Sequence, residues 1–267
     1  HRIHGTVPFN EDGSAAFTVP ANTPLAVQPL DADGREIQIM RSWFTAMPGE
    51  ILSCAGCHEK QNAAAASKPI MSAVKRPTPI SPWYGPARGF SFKREIQPVL
   101  DKYCVGCHNS ETETVGDKKR SGDGREIPNF EPDRVNELAL GKPKPDAKKK
   151  ARPRFKNFDA SYVALHPYAR RPGPENDYHL QMPMEFHADT SELIQMLRKG
   201  HHNVRLDAEA WDRLITWIDL NVPDHGTWGE QRQIAGDFGN KRREALAKYA
   251  NRTDDPESIP ATDTNRV

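Results

Sequence analysis

The sequence predicts an α+β chain, a small antiparallel β-domain followed by a mainly α-helical domain. Three observations predict it. Residues 1 to about 50 hold short apolar and β-branched runs between turn signals. Residues 91–228 hold apolar residues at helical spacing, bounded by helix stops. Between them, residues 62–90 are rich in Ala and Pro, the composition of a linker with partial polyproline character.

In chain order, GTVPF, AAFTVP, LAVQPL and EIQIM read as strands, separated by the turns NEDGS (10–14) and DADG (31–34). Asp-Gly before an extended run is a hairpin cue. The β-rich domain is expected over residues 1–75, and a Pro-rich linker over 76–90. From Ser91, SFKREIQPVLDKYCVGCH sets Phe92, Ile96, Val99, Leu100 and Tyr103 on one helical face, with a kink expected at Pro98.

Residues 111–157 form a charged insertion, which contains the basic run KPKPDAKKKARPR. A solvated loop is the plain reading, and a docking patch for an acidic redox partner is the alternative. DTSELIQMLRKG predicts a helix with Asp189 or Thr190 as N-cap and Gly200 at its stop. LDAEAWDRLITWIDLNVP predicts a second helix, capped by Asp207 and closed by Pro223. Its buried face is expected to carry Trp211, Leu214, Ile215 and Ile218. Residues 229–267 are a polar tail, with a helix expected around Lys241–Tyr249 and a disordered end, DDPESIPATDTNRV.

Composition narrows the function classes. The chain has 36% hydrophobic and 27% charged residues and 23 prolines, so packed cores alternate with long surface segments. Its net charge of +1 implies no nucleic-acid partner. No run of about 18 apolar residues is present, so no membrane span is expected. The chain starts at His1 without a Met or a visible leader, as a mature protein or a piece of a larger polypeptide or complex does.

The four cysteines all fall in two copies of Cys-x-x-Cys-His: Cys54, Cys57 and His58, then Cys104, Cys107 and His108. This is the attachment signature of c-type haem. Two thiols add to the vinyl groups of one porphyrin edge, and the adjacent His ligates the iron from below. Other chemistries fit less well. Zinc ribbons space their Cys-x-x-Cys knuckles by about 15–20 residues and need no following His. A thioredoxin-like pair opens a helix in a βαβ unit, which EKQNAAAASKP does not offer. A structural disulfide across two residues is awkward, and no other cysteine is present as a partner. The cofactors expected are therefore two c-type haems, and the compartment is periplasmic or otherwise extracytoplasmic.

The sixth iron position decides between electron transfer and chemistry. His166, His179, His187, His201, His202 and His225 are candidates, with Met182 and Met184 from LQMPM. His201 is the first choice for the second haem, because it follows Gly200 in a loop between two helices; His202 is the alternative. For the two methionines, core filling is the plainer reading. The first haem has no obvious sixth ligand: His1 and His4 lie in the strand region, and an open or water-bound iron is the other outcome. Arg170 and Arg171 are candidates for holding haem propionates, with ordinary surface charge equally open.

RSWFTAMPGEILSCAGCHE, HADTSELIQMLRKGHHNVRLDAEAWDRLITWIDLNVP and YANRTDDPESIP together resemble the cytochrome region of the hydrazine synthase alpha-subunit-like family, large extracytoplasmic multidomain c-type cytochromes. The resemblance implies a middle domain with one haem and a C-terminal domain with a bis-His haem, often after a β-propeller. It implies His108 and His201 as the bis-His pair. In hydrazine synthase a tyrosine shortly after the first motif binds that iron and frees the motif His for a metal ion. Here the following residues are Glu59-Lys60-Gln61-Asn62, so His58 is expected as an ordinary proximal ligand.

The function expected is that of a dihaem c-type cytochrome, or a dihaem module of a larger protein, passing electrons to a redox partner protein. The metal ligands expected are His58, His108 and His201. One alternative is a redox enzyme whose open first haem acts on a small nitrogen or peroxide substrate and is fed by the second. Another is an interaction module that docks through residues 142–156 and the tail.

Overall fold

The computed structural model describes residues 1–40, 42–56, 70–111, 113–114, 117–118, 126–132, 158–173, 181–231, 234 and 236–261. The chain divides into two compact units, each drawn from separated stretches. The first combines His1–Gly89, Pro172–His187 and Ile234–Thr262. The second is built from Phe90–Arg171 and Ala188–Gln233.

The first unit overturns the expected antiparallel β-domain. Its described residues contain no strand, only isolated bridges such as Thr6 with Ser81, Leu25 with Phe44 and Leu30 with Glu36. The chain is helix-rich instead, and the one strand pair described, β1 (Glu113–Thr114) with β2 (Asp117–Lys118), belongs to the second unit. Proline explains the failure. Pro8, Pro20, Pro24 and Pro29 interrupt the apolar runs, and each removes a backbone donor that a ladder needs. Leu25 and Phe44 still exchange both backbone bonds at 2.9 Å, but Pro24 cannot extend the pairing. The runs also lack an apolar core. Leu25 and Ala46 are buried, but so are Thr23, Arg35, Glu36 and Gln38.

The turns do form. Gly13 donates to the Asn10 carbonyl at 2.9 Å, and Asp31 Oδ1 accepts from the amides of Asp33 and Arg35 at 2.9 Å each. Gly5 has φ 132, and a Cβ there would fall 2.0 Å from the Ser81 carbonyl oxygen, so the bridge at Thr6 requires glycine before it. The C-terminal stretch closes this unit. A helix spans Phe238–Ala250, where one was expected around Lys241–Tyr249. Beyond it, the expected disorder is absent from residues 254–261. Asn22 Nδ2 donates to the Ala250 carbonyl at 2.8 Å, Arg252 Nη1 to Thr23 Oγ1 at 2.9 Å, and Arg2 to the Pro256 carbonyl.

The second unit is a small helical assembly. Two short helices, α1 (Phe92–Glu95) and α2 (Gln97–Tyr103), break at Ile96, with Pro98 in the first turn of α2. Proline fits there because its missing N–H would be unpaired anyway. α3 covers Ala160–Leu165, α4 Glu192–Lys199 and α5 Ala208–Asp219. Ser191, rather than Asp189 or Thr190, is the N-cap of α4, since those two belong to a preceding 3-10 turn. Gly200 ends α4 with φ 99, and the Asp207 side chain caps α5 by accepting from Ala210 N–H at 2.8 Å.

The buried stripe of α5 runs through Ala210, Arg213, Leu214, Trp217 and Ile218, an i, i+3, i+4, i+7, i+8 pattern. Leu214, Ile215 and Ile218 are buried as expected, but Trp217 is fully buried and Trp211 only half-buried, so the buried face is centred further toward Trp217 than expected. Phe92 meets the Trp217 ring at 5.5 Å and the Tyr162 ring edge-on at 5.4 Å. Tyr162 Oη donates to the Val222 carbonyl at 3.0 Å and Trp217 Nε1 to the Pro223 carbonyl at 3.1 Å.

Beside this core lies an ill-matched carboxylate. Asp224 is 6% exposed, and neither of its side-chain oxygens has a hydrogen-bond partner. Burial pushes its carboxyl up to about 7, and the charges of Asp159 and Glu230 add to the shift. His225 Nε2 stands 3.3 Å from Oδ2 as the nearest opposing group. Between about pH 4 and 7 the unfolded chain releases this proton while the folded chain keeps it, so the contribution to stability falls as pH rises through that window. Asp224→Asn is expected to stabilise the protein by about 2–4 kcal/mol at pH 8 and to have little effect at pH 4. Urea unfolding of both proteins at the two pH values checks this, and an equal effect at both would refute the assignment.

Candidate haem-binding site

The second motif sits where α2 ends. Cys104 N–H closes on the Leu100 carbonyl at 2.8 Å, and His108 N–H bonds the Cys104 carbonyl at 2.9 Å. One tight turn therefore presents Cys104, Cys107 and His108 together. Both cysteines are free thiols, so no disulfide joins them. Cys107 is exposed and Cys104 half-buried; burial, then the charge of Cys107, pushes the Cys104 thiol up to about 11.

His108 is held on three sides. Its Nδ1 lies 2.8 Å from the Pro128 carbonyl oxygen, its own carbonyl accepts from Phe130 N–H at 2.9 Å, and its ring lies 4.9 Å from that of Phe130. A carbonyl only accepts, so in the neutral ring Nδ1 carries the proton and Nε2 keeps its lone pair. A hydrogen bond of this kind from one ring nitrogen to a carbonyl is what orients a metal-ligating histidine. Gln97, buried in α2, fixes the same segment by donating to the Phe130 carbonyl at 2.9 Å and accepting from Ser161 Oγ at 2.5 Å.

Facing it is His201. The two imidazole centroids are 5.9 Å apart and the ring planes 25° apart. Metal–imidazole bonds are about 2.0–2.1 Å, so two imidazoles on opposite sides of one metal have centroids roughly 6 Å apart. His201 is half-buried, and desolvation, followed by the neighbouring His202 and His108, lowers its pKa, which leaves its lone pair available at neutral pH. His202 stands edge-on to His201 at 4.7 Å, with φ 47, on the exposed side of the turn.

The two histidine-bearing segments are also tied together. Asp207, which caps α5 just after the His201 loop, accepts from Tyr103 Oη at 2.7 Å and Lys102 Nζ at 3.1 Å. Those bonds and the Ala210 amide hold its carboxyl down at about 2. Asp207→Ala is expected to cost about 1–2 kcal/mol in urea unfolding, the usual loss for a helix cap. Tyr103→Phe is expected to leave stability within about 1 kcal/mol of the parent. If the tie positions the loop, it also loosens ligation by His201, read as a larger carbon-monoxide-binding fraction; a fraction equal to the parent's would show the tie irrelevant to the site.

The other expected residues fall elsewhere. Cys54 is exposed in the first unit, as are Trp43, Met47, Ile51 and Leu52. Cys57, His58 and His179 lie outside the described residues, as does the basic segment 142–156. Met182 and Met184 are exposed in the first unit, and buried His187 there bonds Asp31 through Nε2 at 3.1 Å. His4 is half-buried in that unit; burial first, then Arg2 and Arg252, lower its pKa. His166 stacks on Tyr162 at 5.3 Å, and His225 stacks on Phe158 at 6.1 Å. Arg170 and Arg171 are exposed after α3, where the Arg170 amide donates to Ser191 Oγ at 2.9 Å. Among the described residues no three His, Cys, Asp or Glu side chains gather as a bare metal-ion site.

Sequence reasoning missed Pro128, Phe130 and Gln97. The expected solvated insertion holds EIPNF, and Asn129 and Phe130 there are buried. That Ile-Pro-Asn-Phe cluster was the available signal.

Comparison with known proteins adds one relation. Residues 1–59 match the family described as the hydrazine synthase alpha subunit middle domain, a span that includes the whole first Cys-x-x-Cys-His motif. The match covers 59 of the 267 residues. No curated protein and no solved structure matches the chain significantly. No described helix is long and apolar enough to cross a membrane.

Proposed function

We propose that the chain is a dihaem c-type cytochrome, or the dihaem module of a larger extracytoplasmic protein, that passes electrons to a redox partner protein. One observation carries the reading: His108 and His201 face each other at 5.9 Å beside two free cysteines, with His108 Nδ1 committed to the Pro128 carbonyl. When bound, haem supplies one-electron redox chemistry at its iron. Cys104 and Cys107 would hold it covalently, and His108 Nε2 and His201 would supply imidazole donors to its iron. Phe130 and Gln97 keep His108 in place, and the Tyr103–Asp207 tie keeps the His201 loop in reach. Two imidazole donors favour a lower potential than a His/Met pair.

The match over residues 1–59 favours a second reading for the first motif alone. There Cys54, Cys57 and His58 would hold a haem whose other face is open to a small nitrogen or peroxide substrate, and the second motif would feed it electrons.

The test is an absorption spectrum of the reduced, haem-matured protein before and after carbon monoxide. An unchanged c-type spectrum supports electron transfer at both irons. A shift of about half the Soret intensity, abolished by removing the first motif, supports the second reading. A protein that attaches no haem when matured with the c-type machinery defeats both.

A further inference from the structure

The first unit buries an amide pair that no protein group satisfies. Gln38 is 5% and Gln181 3% exposed. Gln38 Nε2 reaches the Gln181 backbone carbonyl at a long 3.5 Å, but Gln38 Oε1 and Gln181 Nε2 have no partner and no solvent contact. One is an acceptor and the other a donor, and both residues line the same small cavity, beside Glu36, His187, Ile39 and Phe186. A polar amide atom buried without a partner is costly, and such atoms are normally satisfied by ordered water. The cavity of ≈ 10 Å³ has room for about one water molecule.

Hydrogen bonds hold the segments on either side of it. Met184 N–H donates to the Ile37 carbonyl at 2.8 Å, which fixes the two segments against each other. Glu36 accepts from Gln28 Nε2 at 3.2 Å, and His187 is bonded to Asp31. The two orphaned amide atoms are thus a donor and an acceptor on two residues that line one space of about one water's size.

We propose that this cavity is a binding site for one water molecule, which accepts from Gln181 Nε2 and donates to Gln38 Oε1, making residues 36–39 and 181–187 one hydrogen-bonded structure. The inference is independent of the haem reading. It is tested by thermal unfolding of the full chain carrying Gln38→Leu, Gln181→Leu or both. With a bridging water each single replacement orphans the opposite amide and is expected to lower Tm by about 2–6 °C, and the double replacement by less than the sum. With a dry cavity each single replacement removes an orphaned atom, so a Tm equal to or above the parent's overturns the proposal.

Oxygen-17 relaxation of the unmodified protein stands if a variant fails to fold. The proposal expects at least one long-lived internal water, and its absence overturns the site. An ammonium-specific rise in Tm in the unmodified protein, not matched by sodium, would identify a cation as occupant and also overturn it.

Discussion

His201→Ala is expected, on the dihaem reading proposed above, to make the reduced, haem-matured protein gain about one equivalent of carbon-monoxide binding over the parent. The expectation rests on the facing imidazoles of His108 and His201 at 5.9 Å. Without the second imidazole, His108 stays oriented by the Pro128 carbonyl and Phe130, so one imidazole is kept in place while the other is lost. His202, although 4.7 Å from His201, points from an exposed left-handed position, and His202→Ala is expected to leave carbon-monoxide binding at the parent level. If His201→Ala binds no more carbon monoxide than the parent, the pairing with His108 is wrong.

Arg213→Ala is expected to be the most damaging removal of a charge from the helical unit, at about 3–5 kcal/mol. Arg213 on α5 bonds Glu95 on α1, and that carboxylate is only 1% exposed. Arg213 also reaches Glu209 at 2.6 Å on its own helix. Deleting the guanidinium takes an opposing charge from a carboxylate that is 1% exposed, and the cost expected is that of breaking a buried ion pair by removing one partner. The pair itself need not be worth so much. Glu95→Leu with Arg213→Met is expected to recover most of the loss, because both charges leave together. Urea unfolding decides it: a loss under about 1 kcal/mol for Arg213→Ala would mean that water reaches Glu95 after all.

The grouping of Cys104, Cys107 and His108 was legible at once, because two thiols and an imidazole at fixed spacing are a local chemical signature. His201 was legible through its frame. Gly200 and Asp207 are helix-end residues whose preferences are local, and both act in the structure as expected. Trp217 was not distinguished from Trp211, since periodicity gives a stripe but leaves its phase to what lies opposite. Phe92 and Tyr162 set that phase, and they are distant in sequence. The β-domain failed for the converse reason. Apolar runs such as GTVPF and LAVQPL carry strand propensity, but a ladder is a tertiary object, and the prolines inside them forbid it. Pro128 could not be foreseen as a partner of His108, because only its carbonyl is used and a backbone acceptor has no residue signature.

The way Asn22, Thr23 and Arg2 receive the stretch from Ala250 to Pro256 has a bearing on how the molecule is made. The stretches of the first unit lie on both sides of the second along the chain. During synthesis the N-terminal segment, with its first Cys-x-x-Cys-His, must therefore wait with these bonds unmade until the whole second unit has left the ribosome. The helical unit, whose residues all precede Ile234 apart from the last five, has every core residue in hand earlier. Assembly thus runs against the reading direction of the gene, with the later-written helical unit able to fold before the earlier one. A chain stopped after Gln231 would keep the His108–His201 pair but lose the closure of the segment that comes first.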